Sequence, residues 1–259
     1  MNKPNSSKRS LEFAGLTFSG LHAADLFPQP GIFKFIVTVN ADFIVTSFQS
    51  KRFANLVSKN FATIDGQITL WLARIFGKPR ELDFEKISGS SFAYDLLHYA
   101  ADKGLRVFFL GASPAVNELA VCKVRERFGV DVMGFSPPLT TYPVSLSWNE
   151  EALARIKQHL PHILFVALGS PKQEYWIEDN AQVLENAGVQ VAIGCGGTLD
   201  FLAGAISRAP LMMQKIGLEG LYRLARQPSW FRVKRIARSL WVFPIVFLKS
   251  LQSKTTKTR

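Results

Sequence analysis

Along most of this chain, short runs of β-branched and aromatic residues end at a glycine or small polar residue and pass into longer segments with apolar residues at helical spacing. That alternation predicts an α/β fold with a Rossmann-like, mostly parallel sheet flanked by helices. The expected strands are 32–40, 61–64, 105–110, 130–135, 163–168 and 189–193, and the expected helices are 41–47, 68–76, 90–103, 115–128 and 150–159. Before them, residues 11–30 carry short apolar pieces broken by Gly15, Gly20, Pro28 and Pro30, which reads as a minor hairpin or edge element. The polar opening, residues 1–13, is expected to lack order, and the charged stretch 77–89 reads as a mobile loop.

Two strand-to-helix turns stand out. In the first, Gly169 is the turn, Ser170 the expected N-cap, Pro171 the first helical residue and Gln173 its capping-box partner. In the second, Gly194, Gly196 and Gly197 form the turn, Thr198 is the expected cap and Asp200 falls in the first helical turn. Backbone N–H groups at such helix starts suit a phosphate, because glycine lets a ligand approach closely. A structural reading stands beside this one: Gln173 closes a capping box and Asp200 complements the helix dipole. Gly111 followed by Ser113 and Pro114 gives a second cap-plus-proline start. Thr38 and Asn40 end the first central strand with side chains suited to a hydroxyl or phosphate, and Asn40 reads equally well as a helix cap. Asp65 closes the strand 61–64, either as a cap or as a carboxylate on the ligand edge of the sheet.

Composition and charge add a division of labour. The 259 residues suit one α/β domain with appended elements, and 47% hydrophobic against 20% charged residues marks a globular protein. Two cysteines, Cys122 and Cys195, are too few for a disulfide framework, which points to a reducing compartment. Residues 208–259 hold 12 Lys or Arg and one acid, Glu219, whereas residues 1–207 hold 19 basic and 19 acidic residues. The expected division is therefore a tail and minor element (1–30), an α/β catalytic domain (31–210) and a basic amphipathic appendage (211–259) broken at Pro228 and Pro244. In that appendage the longest uncharged apolar run, Leu240 to Leu248, is well short of the roughly 20 residues that span a bilayer. It fits a segment lying on an anionic membrane surface. Nucleic acid is the alternative partner for the basic tail. No G-x-G-x-x-G opens the chain, which argues against a nicotinamide-dependent oxidoreductase.

Read in order, Thr38-Val39-Asn40-Ala41, Asp65-Gly66, Leu110-Gly111, GSPKQEYW, GCGGTLDFLAG, SRAP and GLEGLYRLARQP resemble the WecG/TagA/CpsF family of bacterial glycosyltransferases, glycosyltransferase family 26. The resemblance runs from about residue 30 to about residue 235. It implies inverting transfer of an N-acetylmannosamine-, N-acetylmannosaminuronate-, glucuronate- or hexose-type sugar from a UDP-sugar to a polyprenyl-diphosphate-linked saccharide, in the synthesis of a cell-surface polysaccharide. It implies Asp65 as catalytic base, with Thr38 and Asn40 lining the site. Lys86 stands where relatives often have an arginine facing the diphosphate. Gly111, Gly169, Gln173, Glu174, Gly196, Gly197, Asp200 and Arg208 would bind substrate, and Arg223, Arg226 and Arg232 would close over the diphosphate. No Asp-x-Asp pair is present, and Asp83-x-Glu85 reads as a solvated charge run, so no metal or other cofactor is expected. The expected setting is the inner face of the cytoplasmic membrane, with no nucleic acid partner and homo-oligomerisation left open.

Overall fold

The computed structural model describes residues 10–79, 82–138, 141–207, 209–226 and 228–255. Residues 1–9, and with them most of the polar opening, lie outside these. The chain divides into two compact units, one built from Leu26–Val37 and Gly89–Ser207, the other from residues up to Asp25, Thr38–Ser88 and those from 208 on.

The first unit alternates strand and helix. Its elements are β3 (Lys34–Val39, whose last two residues belong to the second unit), α4 (Gly89–Lys103), β5 (Val107–Gly111), α5 (Pro114–Phe128), β6 (Val132–Phe135), α6 (Leu146–His159), β7 (Ile163–Ala167), α7 (Lys172–Asn186), β8 (Val191–Gly194) and α8 (Thr198–Leu202). Strands β3, β8, β7, β5 and β6 pair in parallel in that order, for example Lys34 with Val191, Ile163 with Val107 and Val107 with Val132. Strands β5, β7 and β8 are buried along nearly their whole length, which is why they read as continuous apolar runs rather than alternating ones. Phe109 and Phe165 meet edge-on within this sheet.

The second unit holds β1 (Leu11–Phe13), β2 (Leu16–Phe18), α1 (Ala41–Gln49), α2 (Lys51–Lys59), β4 (Phe61–Ile64), α3 (Gln67–Phe76), α9 (Leu211–Lys215), α10 (Glu219–Arg226), α11 (Trp230–Ser239) and α12 (Val242–Thr255). The hairpin expected near the start is the antiparallel pair β1–β2, turned by Ala14 and Gly15, both at positive φ. Strand β4 joins the sheet beside β3, so the six-stranded order is β4-β3-β8-β7-β5-β6.

Three local expectations are corrected. Helix α6 starts at Leu146 rather than Glu150, because the Ser145 hydroxyl accepts from the Trp148 N–H and caps it. Pro244 does not break the appendage. It is the third residue of α12, in the first turn, where its missing N–H has no intrahelical partner to lose. The stretch 82–89 is pinned rather than loose: Lys86 forms a parallel bridge with Ile64, the Ile87 N–H donates to the Ile64 carbonyl, and the Glu85 carboxylate accepts from the Ala23 N–H.

Candidate active site

In the first unit the connection from β5 to β6 runs one way along the sheet, and that from β7 to β8 runs the other. With right-handed crossovers, α5 and α7 leave on opposite faces and a crevice opens outside the carboxyl ends of β5 and β7. Gly111 ends β5 at this edge. Its φ is 98°, and a Cβ there would lie 2.7 Å from the Ala167 carbonyl oxygen, so only glycine fits. The Ser113 cap and Pro114 start are as the sequence implies, with the Ser113 hydroxyl accepting from the Val116 N–H.

Across the crevice the motifs GSPKQE and GCGGT interlock through one side chain. Gln173 is buried, and its Oε1 accepts from the Gly169 N–H at 3.2 Å and the Gly196 N–H at 3.1 Å. Its Nε2 donates to Glu174 Oε1 at 2.6 Å. Both side chains lie against the bare Cα of Gly194, where a Cβ would come within 2.6 Å of Glu174 Oε1 and 2.7 Å of Gln173 Nε2. Glu174 is itself only 1% exposed.

This arrangement corrects both expected caps. Ser170 does not cap α7: the helix begins at Lys172 after Pro171 with no side-chain cap, and the Gln173 oxygen accepts from the Gly169 N–H. Gln173 therefore ties two turns together instead of closing a capping box. Thr198 lies inside α8, preceded by Gly197, and its hydroxyl donates to the Cys195 carbonyl at 2.7 Å. Asp200 sits in the first turn of α8 as expected. The N–H groups of Gly169 and Gly196 are engaged within the protein, so these glycines shape the crevice rather than present free donors. Cys195 is buried, and that burial pushes its thiol far above the ordinary range, with the negative charges of Glu174 and Asp200 adding to the shift. A thiol held neutral in this way packs and does not attack.

In the second unit Asp65 follows β4 directly. Its N–H donates to the Val39 carbonyl at 2.9 Å. The N-cap position of α3 is Gly66, at φ 81° and with no side-chain cap, so Asp65, a half-buried residue, stands one position before the cap. The Ile64–Lys86 bridge brings Lys86 to the same turn, where its Nζ donates to Gln67 Oε1 at 3.3 Å. Thr38 is buried at the end of β3, and Asn40 caps α1 by accepting from the Phe43 N–H at 3.2 Å.

Among the expected arginines, Arg208 lies outside the described residues, Arg223 and Arg226 belong to α10, and Arg232 lies in the first turn of α11. Residues that sequence reasoning missed are Asp42, Arg235 and Arg238. Asp42 is buried in the first turn of α1, and both its carboxylate oxygens accept from Arg238, Oδ1 from Nε at 2.6 Å and Oδ2 from Nη2 at 2.8 Å. Arg235 Nε lies 3.2 Å from Oδ2 of the same carboxylate. The available signal was a lone acid in an otherwise uncharged helix, Ala41–Gln49.

The Glycosyl transferase WecG/TagA/CpsF family matches residues 13–257. The chain belongs to this family. It is accordingly a glycosyltransferase, and the match reaches further at both ends than the motifs alone suggested, taking in β2 and all of α9–α12. A relative from Bacillus spizizenii, N-acetylglucosaminyldiphosphoundecaprenol N-acetyl-beta-D-mannosaminyltransferase, is 32% identical over 207 residues, covering 79% of this chain and 76% of its own. Within the WecG/TagA/CpsF chain described above, one unit gathers Gly111, Gly169, Gln173, Glu174, Gly196, Gly197 and Asp200, and the other holds Thr38, Asn40, Asp65 and Lys86.

Proposed function

We propose that this protein transfers an N-acetylmannosamine-type or related hexose from a UDP-sugar to a saccharide carried on polyprenyl diphosphate, with inversion, during assembly of a cell-surface polysaccharide. The observation that carries this reading is the membership of the family together with the position of Asp65, a half-buried residue at the end of β4 with the Lys86 ammonium on the same turn. An acceptor hydroxyl needs a base, and a leaving diphosphate needs positive charge. Asp65 takes the first role. Lys86 serves the second as a point charge without an arginine's bidentate fork, and the arginines of α10 and α11 supply the rest. Charge neutralisation by these side chains makes a divalent metal unnecessary. The relative's printed acceptor, N-acetylglucosaminyldiphosphoundecaprenol, supports a lipid-diphosphate acceptor for this chain as well.

The acceptor's lipid anchor calls for a membrane-facing surface. Among the described residues no helix is long and apolar enough to cross a membrane. The basic appendage nevertheless leaves Trp230, Trp241, Phe243, Phe247, Leu248 and Leu251 exposed, while Val242, Ile245 and Val246 are buried where α12 packs on α1 and α3. Exposed aromatic and aliphatic side chains beside a cationic excess favour an anionic bilayer over nucleic acid. We place the protein peripherally on the inner face of the cytoplasmic membrane. The test is release of UDP from a panel of UDP-sugars, with and without a polyprenyl-diphosphate-linked acceptor in detergent. Acceptor-dependent release with one sugar is expected and survives EDTA; release with no donor on any acceptor would overturn the reading.

A further inference from the structure

We propose that Asp42 is a positioning residue for the transfer reaction. Its carboxylate clasps Arg238 and Arg235, fixing α11 and, through it, the arginine-bearing α10 on the helix that starts at Asn40. Its kinetic part rests on the transferase reading above; its structural part does not.

Asp42 follows Asn40 by two residues and is flanked by the buried Phe43, Ile44 and Val45. A carboxylate taken out of water beside such neighbours is strongly disfavoured unless paired and fully hydrogen-bonded. Arg238 meets that need with a two-bond fork at 2.6 and 2.8 Å, and Arg235 adds a third contact at 3.2 Å. The planar guanidinium matches both carboxylate oxygens, which fixes direction as well as charge. In return the Asp42 carboxylate holds Arg238 more firmly protonated.

The pairing also answers a problem of the appendage itself. With 12 cations and one acid in residues 208–259, α9–α12 offer little internal compensation for their positive charge. Asp42 supplies an anion from a different part of the sequence, 196 residues away from Arg238. Helix α11 packs along α1 at this point, and α10 packs on α11, where Gly220 approaches Ile236. The clasp thus fixes the helix that carries Arg232 and supports the one that carries Arg223 and Arg226. Both clasping arginines keep 42% of their side-chain surface exposed, so the contact can be removed from the arginine side without opening the core.

The experiment compares full-length wild type with Asp42→Asn, Arg238→Gln and the double variant by three readouts: amide hydrogen exchange, melting temperature, and steady-state kinetics with the UDP-sugar donor. Exchange over residues 230–251 is expected to rise at least about tenfold in each single variant and little further in the double, because the two side chains act as one unit. The kcat is expected to fall at least about tenfold while the donor KM stays within about twofold, the pattern of a contact used in the transition state. Unchanged exchange and kcat in Asp42→Asn and Arg238→Gln would overturn the proposal. So would exchange rising evenly through every element, since that reports a general loss of stability. If Asp42→Asn fails to fold, Arg238→Gln removes the same bonds from the exposed side. If the wild type transfers no sugar, the transferase reading fails, and the exchange profile still decides whether the clasp exists.

Discussion

The side-chain oxygen of Gln173 accepts hydrogen bonds from Gly196, 3.1 Å away, and from Gly169, 3.2 Å away, so one amide closes two turns that lie on neighbouring strands of the sheet. Replacing it with leucine keeps the volume and leaves two backbone N–H groups without their acceptor. An unsatisfied buried donor costs about 2 kcal/mol. Gln173→Leu is therefore expected to lower the unfolding free energy by at least about 2 kcal/mol in chemical denaturation, and to weaken UDP binding as the crevice loses its shape. A variant with wild-type stability and wild-type UDP affinity would show that the amide does not hold the turns.

The same residue marks where sequence reasoning ran out. Local signals were read well: the strand 61–64 and the Ser113–Pro114 helix start are found as expected, because a cap and its helix lie within three residues of each other. Ser170 and Thr198 carry the same chemistry, yet neither caps its helix. The Gln173 oxygen takes the Gly169 N–H and also that of Gly196, 23 residues further along, while the Thr198 hydroxyl turns back to the Cys195 carbonyl three residues before it. Asp42 was invisible for a related reason. Its partner is 196 residues away, and no window along the chain contains both. Pattern identified the elements and the strand-end residues, and long-range side-chain pairing decided their roles.

Asp65 provides the most direct test of the chemistry. Substitution by asparagine keeps the size and removes the proton acceptor, while the Asp65 N–H bond to the Val39 carbonyl is a backbone contact and stays. A positioned general base contributes about 10²–10⁴-fold to rate. Asp65→Asn is expected to lose at least about a hundredfold in kcat with UDP affinity within about threefold, measured by UDP release and by calorimetry. Retention of near-normal turnover would assign the base to another residue.

Cys195 links the crevice to pH. Burial, reinforced by Glu174 and Asp200, raises the thiol's pKa in the folded protein above its value in the unfolded chain. As pH rises through the ordinary thiol range, about 8.5, the unfolded chain releases a proton that the folded chain retains. The contribution to stability is fully present below that range and is lost as pH rises above it. Unfolding free energy is thus expected to decline above about pH 8.5 in the wild type and to decline less in Cys195→Ala. Iodoacetamide at pH 8 should label the exposed Cys122 and spare Cys195 until the protein unfolds. Equal labelling of both in the folded state would contradict the burial argument.

The appendage makes its own prediction, because its two faces separate folding from attachment. On α12 and the residue before it, Val242, Ile245 and Val246 face inward, whereas Trp241 is 63% and Phe247 57% exposed. Truncating exposed side chains costs the fold little, within about 0.5 kcal/mol. Moving such a side chain from water into a bilayer interface gains about 1.5–3 kcal/mol, at least about a tenfold change in partitioning for each. Trp241→Ala combined with Phe247→Ala should therefore leave the melting temperature nearly unchanged and reduce binding to phosphatidylglycerol vesicles by at least about a hundredfold. Binding of the wild type should weaken with added salt and fall away on zwitterionic vesicles, since each cation near an anionic surface adds about 1 kcal/mol. If the double variant binds as the wild type does, the aromatic face does not enter the bilayer. If salt alone removes the wild type from vesicles of any composition, the attachment is purely electrostatic.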